Sequence, residues 1–275
     1  MNKAGRIATC LRRGAAPAVV LILLGACASS VAPPPSAWQS GQKQMQSGQW
    51  SEARRSFERE LREHPNNQKA RYNLALLLEE NGHSNDATTL YRENLKISWH
   101  FPSAINLARL LQASGNSDAA IDLLTRATRE SPHEATPWYL LAEIADSESK
   151  PDLAEQHYRQ ALKAEPANGY AHLRYAEFQS RRALADHGLD EGKKASQLLP
   201  ECAACWRQYG DILLKSGEHH QARVAYQRSL AIQPSWQTRQ KLIDLLHTEG
   251  QTEQANRMQR ALDAWKKLHA DKGAE

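Results

Sequence analysis

Cys202 and Cys205, separated only by Ala203 and Ala204, are the residues best spaced for chemistry in this 275-residue chain. At a helix start such a pair can be a redox couple, half of a metal site or a simple disulfide. Zinc would need a second pair of the same kind, and the only other cysteines are Cys10 and Cys27. Covalent haem attachment needs a His directly after the second cysteine, where Trp206 stands. No strand–helix–strand pattern of a thioredoxin-like domain surrounds the pair. His219 and His220 are adjacent, so on a helix they point different ways and a shared metal is not expected. The chain holds no Gly-rich phosphate loop, no Gly-x-Ser-x-Gly, no His-Glu-x-x-His and no plausible triad. Acidic pairs such as Glu79-Glu80 read as solvated helix faces rather than acid/base dyads. The expectation is a protein without catalytic residues, cofactor, metal or small-molecule substrate.

Charge and compartment narrow the partners. The chain carries 35 Lys and Arg against 31 Asp and Glu. All four excess cations, Lys3, Arg6, Arg12 and Arg13, lie in residues 1–26, which hold no acid. The remainder is formally neutral and lacks the basic bias that nucleic acid selects. The basic stretch is followed by an apolar run, Ala15 to Leu24, too short for a confident membrane-spanning helix. Leu24-Gly25-Ala26-Cys27 then resembles the bacterial lipobox. That resemblance implies cleavage before Cys27 and lipid on its thiol and amino group. Several acyl chains, at about 0.8 kcal/mol per buried CH₂, would hold the protein on a membrane. Ala28, rather than Asp, follows the cysteine, which by the sorting rule of such lipoproteins implies the outer membrane, with the body facing the periplasm. The stretch Ala28–Ser36 contains Pro33, Pro34 and Pro35 and reads as a semi-rigid tether. In an oxidising compartment a local structural disulfide is favoured for Cys202 and Cys205, ahead of free thiols and of a redox accessory role.

What must position these residues is a periodic scaffold. Pro132, Pro166, Pro200 and Pro234 stand 34 residues apart, and Pro65 fits one residue out of phase. Ala53, Ala87, Ala120, Ala154, Gly188, Ala222 and Ala255 run beside them. Such self-similarity indicates a stacked helical array rather than a single globular core. The small residues let paired helices approach closely, and Gly48, Gly82, Gly115 and Gly217 sit where a first helix ends and positive φ is wanted. The prolines are expected to start the next helix. Two breaks are visible: Trp99 replaces a proline, and Gly188 and Gly192 replace the small and aromatic positions. A bend or loosening is expected there.

Across about 36–269 the chain looks like a tetratricopeptide repeat protein. The repeat at 135–168 carries Trp138, Leu141, Ala142, Ala154, Tyr158, Ala161 and Pro166; that at 203–236 carries Trp206, Tyr209, Gly210, Ala222, Tyr226 and Pro234. The resemblance implies an all-α, right-handed α-solenoid of about six to seven helix pairs. The expected layout is a signal peptide at 1–26, a lipidated cysteine and tether at 27–35, and repeats at 36–235. A degenerate capping pair with Gln259 at the aromatic position follows at 236–269, then a frayed tail at 270–275. By the family pattern, first helices line a concave groove. Mapped here, its lining includes Tyr72, Glu79, Ile105, Arg109, Tyr139, Glu143, Arg174, Glu177, Arg207 and Asp211. The Lys and Asn with which some such proteins grip a terminal carboxylate are replaced by Trp38 and Gln42. Lipobox plus repeats is an architecture similar to pilus-assembly pilotin lipoproteins. It implies a non-catalytic scaffold binding protein or peptide partners in the bacterial envelope. Adaptors for peptidoglycan enzymes or polysaccharide export share the build.

Overall fold

The computed structural model describes residues 35–182 and 185–270. The expected signal peptide, Cys27 and nearly all of the expected tether lie outside the described residues, as do residues 271–275. From Ser36 the chain forms one unit of seven helix pairs. They are α1 (Ala37–Gln46) with α2 (Trp50–Glu63), α3 (Gln68–Glu80) with α4 (Ser84–Ile97), and α5 (Phe101–Ala113) with α6 (Ser117–Glu130). Next come α7 (Ala135–Ser147) with α8 (Pro151–Ala164), and α9 (Gly169–Arg181) with α10 (Ala185–Leu198). The last are α11 (Ala203–Lys215) with α12 (His219–Ile232), and α13 (Trp236–Thr248) with α14 (Thr252–Ala270). No strand occurs among the described residues. Each helix packs on its pair-mate and on the next helix in the chain, giving the all-α solenoid that the period requires.

Helix ends follow from residue type. After α5, Gly115 adopts φ 79°, its N–H bonds the carbonyl of Gln112, and that of Asn116 reaches back to Leu111 at 2.8 Å. This left-handed closure satisfies carbonyls that the helix leaves free. The same closure ends α7, but there Ser149 supplies the positive φ (60°), with Lys150 N–H on the Ala145 carbonyl at 2.8 Å. A side chain is strained in that region, so this turn is the weakest of its kind.

The prolines do something different from what their period suggests. They do not start helices: Pro65, Pro132, Pro166 and Pro234 immediately follow the last residue of a second helix's cap, and the next helix begins later. The preceding residues, His64, Ser131, Glu165 and Gln233, have φ between −131° and −145° with positive ψ. A proline disfavours helical backbone in the residue before it, so its job here is to stop the second helix. Where Trp99 takes its place, Ser98 is extended without that help, and the indole N–H donates to Ser131 Oγ at 3.4 Å under the guanidinium of Arg126.

Packing repeats with the same period. Ala53, Ala87, Ala120, Ala154, Ala222 and Ala255 are fully buried, and Phe57, Tyr91, Leu124, Tyr158 and Tyr226 fill the space beside them. A Cβ on Gly41 would meet the Phe57 ring at 2.6 Å, and one on Gly210 the Tyr226 ring at 2.6 Å, so these rings need the missing side chains. Each buried aromatic contributes about 1.5–3 kcal/mol.

The fifth pair corrects the expected loosening. At Gly188 the backbones of α9 and α10 approach so closely that a Cβ would lie 3.0 Å from the Ala176 carbonyl oxygen. The space that an aromatic at 192 would fill is taken by Tyr209, reaching back from α11; a Cβ on Gly192 would be 2.7 Å from its ring. The glycines therefore mark a close approach, not a gap. The apolar core nonetheless divides here. One cluster runs from Ala53 to Phe178 and another from Tyr209 to Leu262, with Leu173, Ala195 and Cys205 between them. The joint holds a buried polar link instead: His172 Nδ1 contacts the Glu191 carboxylate, and its Nε2 lies 2.9 Å from the Pro166 carbonyl.

Candidate protein-binding surface

First helices of successive pairs touch one another, α1 with α3, α5 with α7, α7 with α9 and α9 with α11, whereas no pair of second helices packs to a comparable extent. The array therefore curls with the first helices inside, and the surface to consider is theirs.

Eight of the expected groove residues, all but Ile105 and Arg207, fall into three cross-repeat clusters. In the first, Tyr91 Oη of α4 donates to Glu79 Oε2 at 2.9 Å, and Asn106 of α5 donates to Tyr91 Oη at 3.1 Å and to Tyr72 Oη at 3.5 Å. Burial pushes the Tyr72 and Tyr91 hydroxyls above the usual phenol range, so both stay protonated. In the second cluster Arg109 approaches Tyr139 Oη at 3.5 Å, and Arg174 bridges Glu143 (3.2 Å) and Glu177 (3.0 Å). Desolvation raises the Glu143 carboxyl above its ordinary value, against the pull of Arg174 and Arg109. Tyr139 and Ile105 are only 7% exposed, so they offer edges rather than faces. In the third cluster Asp211 accepts from Tyr226 Oη at 2.7 Å and pairs with Lys241 of α13 at 2.9 Å. Arg207 makes no ion pair with any described residue.

Sequence reasoning missed Asn106, Asp146, Arg181 and Lys241. Arg181 pairs with Asp146 at 2.8 Å one repeat away, which local spacing does not reveal. Such partly exposed pairs add little stability, about 0–1 kcal/mol each, and hold the surface in register. The arrangement alternates aromatic hydroxyls, amides and charges of both signs along one curved face. It suits recognition of an extended chain, whose backbone and side chains present the same mixture.

Cys202 and Cys205 lie at the start of α11, with their sulfurs bonded at 2.03 Å. Cys202 Sγ also accepts the Cys205 N–H, and Cys205 is 2% exposed. Among the described residues no cluster of three His, Cys, Asp or Glu could hold a metal, and no helix is long and apolar enough to cross a membrane.

Two tetratricopeptide repeat models match the chain, one at residues 39–99 and 105–169 and the other at 203–235. Among curated relatives, the type IV pilus assembly protein PilF of Pseudomonas aeruginosa is 28% identical over 140 residues, 49% of this chain and 55% of that protein. A TPR repeat-containing protein of the same organism is 33% identical over 79 residues, covering 29% of this chain and 13% of its own length. The chain thus spans about half the length of the first relative and far less of the second. Among solved structures, pilF of Pseudomonas aeruginosa superposes with a TM-score of 0.54 at 23% identity, over 60% of this chain and 75% of that one. A tetratricopeptide repeat protein from Parabacteroides merdae reaches 0.60 at 15% identity, over 83% and 91%. A chain of the APC/C Cut9–Hcn1 hetero-tetramer reaches 0.64 at 14% identity, over 84% and 47%. At these identities the structures speak to the fold alone. Repeat spacing, buried small residues and helix pairs agree with the matched models, and the chain belongs to the tetratricopeptide repeat family, whose members are in general non-catalytic scaffolds for protein–protein interaction.

Proposed function

We propose that the chain is a lipid-anchored scaffold of the outer membrane, facing the periplasm, that gathers proteins during assembly of an envelope complex such as a pilus or its secretin. The observation that carries this reading is the curved face of first helices, where Tyr72, Arg109, Tyr139, Glu143, Arg174 and Glu177 meet across successive repeats. The lipobox ending at Cys27 and the 28% identity to a type IV pilus assembly protein support the setting. An extended segment of a partner would lie along this face, exchanging bonds with its clusters. No residue is assigned a catalytic part.

In-cell crosslinking followed by mass spectrometry tests the proposal. A secretin recovered with the parent, and lost with Tyr139→Ala plus Arg174→Ala, is the expected result. Recovery of murein hydrolases or polysaccharide-export proteins would replace the pilus setting. Unchanged capture of every partner by the double variant would remove the groove from the account. Labelled palmitate incorporated into the parent but not into Cys27→Ser checks the anchor.

A further inference from the structure

A second surface departs from the balanced charge of the groove. Between the last two helix pairs lies a cleft of about 520 Å³, walled by the starts of α11 and α13, the end of α12 and one face of α14. Its lining includes Arg207, Arg239, Trp236 and Trp265, and contains no Asp or Glu. Neither arginine pairs with any described acid. Trp236 is 46% exposed, with Lys266 at 5.3 Å over its ring adding a third cation at the rim.

Elsewhere the protein shows what such a place accepts. The second amide of α1, Trp38 N, donates to Glu60 Oε2 at 3.0 Å, and the first of α7, Ala135 N, donates to Glu165 Oε2 at 3.3 Å. In each case a carboxylate of the chain sits on a first-turn amide, favoured by the helix dipole. In the cleft no acid of the lining can do this for α11 or α13. Ser235 caps only Thr238 N–H, and Cys202 offers Cys205 N–H a sulfur. Uncompensated arginines and helix-start amides favour negative charge, while tryptophan faces favour apolar or aromatic side chains between the charges.

We propose that this cleft docks an extended, acidic segment of a partner protein, its side-chain carboxylates on Arg207 and Arg239 and an apolar residue against Trp236. The site shares only Arg207 with the concave groove and does not depend on the groove being occupied.

The test uses the full chain in non-ionic detergent and fluorescein-labelled, C-terminally amidated dodecapeptides on one Leu- and Phe-containing frame, bearing Glu or Gln at the same places. Fluorescence polarisation is expected to show Glu peptides binding at least tenfold more tightly than Gln peptides. The preference should shrink as salt rises from about 50 to about 500 mM, where screening shortens the reach of exposed charges. Arg207→Gln plus Arg239→Gln should abolish it with the far-UV spectrum unchanged, while Arg54→Gln, a surface arginine paired with Glu58, should leave it intact. Equal binding of the two peptides, absence of binding, or full retention by the double variant would overturn the proposal. So would loss through Arg109→Gln plus Arg174→Gln with the cleft variant unaffected, which would move the acidic segment to the groove. If the groove variants instead lose their crosslinked partner while the cleft still prefers Glu peptides, only the groove reading is touched.

Discussion

Restoring the family aromatic at position 192 tests the packing of the fifth pair, because repair toward a consensus ordinarily stabilises a repeat protein. Here Gly192→Tyr should do the reverse. A Cβ at 192 would lie 2.7 Å from Tyr209 Cδ2, 3.1 Å from Cε2 and 3.6 Å from Ile212 Cδ1. A tyrosine would have to expel Tyr209, which is 8% exposed. Lost burial costs about 1.5–3 kcal/mol and misfit about 1–3 kcal/mol more. Better helix propensity returns about 0.5 kcal/mol. The net loss is about 2–5.5 kcal/mol, a fall in Tm of roughly 5 °C or more for an array of this length. Gly188→Ala is expected to destabilise for a related reason: its Cβ would sit 3.0 Å from a backbone oxygen, which cannot swing aside as a side chain can. Urea unfolding followed by far-UV circular dichroism gives the midpoints. Moving the ring, with Gly192→Tyr and Tyr209→Gly together, should recover part of the loss. A Gly192→Tyr protein as stable as the parent would refute the reasoning.

Three further outcomes are expected. Ser149→Gly should raise stability by about 0.5–1 kcal/mol in the same urea assay, since relief of the left-handed strain exceeds the extra freedom of the unfolded glycine. The hydrogen bond to Glu191 is the main cause raising the His172 pKa, and burial opposes it. Its stabilising share is therefore complete below about pH 6.5, the ordinary histidine value, and lost as pH rises through the higher folded value. The parent should lose its advantage over His172→Gln across that interval, and a constant difference would count against the pair. Unreduced protein should resist alkylation at Cys202 and Cys205 and gain two labels there after reduction. Cys202→Ser plus Cys205→Ala should cost about 2 kcal/mol or less, because the closed loop is short.

The 34-residue period made the helix pairs, the buried small positions and the positive-φ glycines legible, because each depends on residues within one repeat. Three things were not. The prolines show their spacing in the sequence, but not whether they end one helix or begin the next; the extended backbone at His64, Ser131 and Glu165 decides that. Gly192 reads as a loosening because the residue that fills its space, Tyr209, belongs to the next pair, and Gly188 because the close backbone of α9 that requires it shows no residue-type signal. The groove residues were placed by family pattern, but their partners lie about one repeat away, as with Glu143 and Arg174 or Asp211 and Lys241. Long polar side chains at that separation have many possible mates, and only packing selects among them. The acid-free cleft was illegible for the same reason, since it unites four helices.

The tyrosines that fill the core also carry the groove's hydrogen bonds. Tyr91 and Tyr226 are fully buried rings, yet their hydroxyls end on Glu79 and Asp211 of the inner face. A guest that claims either carboxylate must strip a bond from a ring wedged within the helix stack. Occupancy of the face would thus be coupled to the packing of the joints between helices. The hydroxyl proton of Tyr91 would serve as the gauge: its exchange with water should quicken when Glu79 is engaged and stay constant if face and core are mechanically separate.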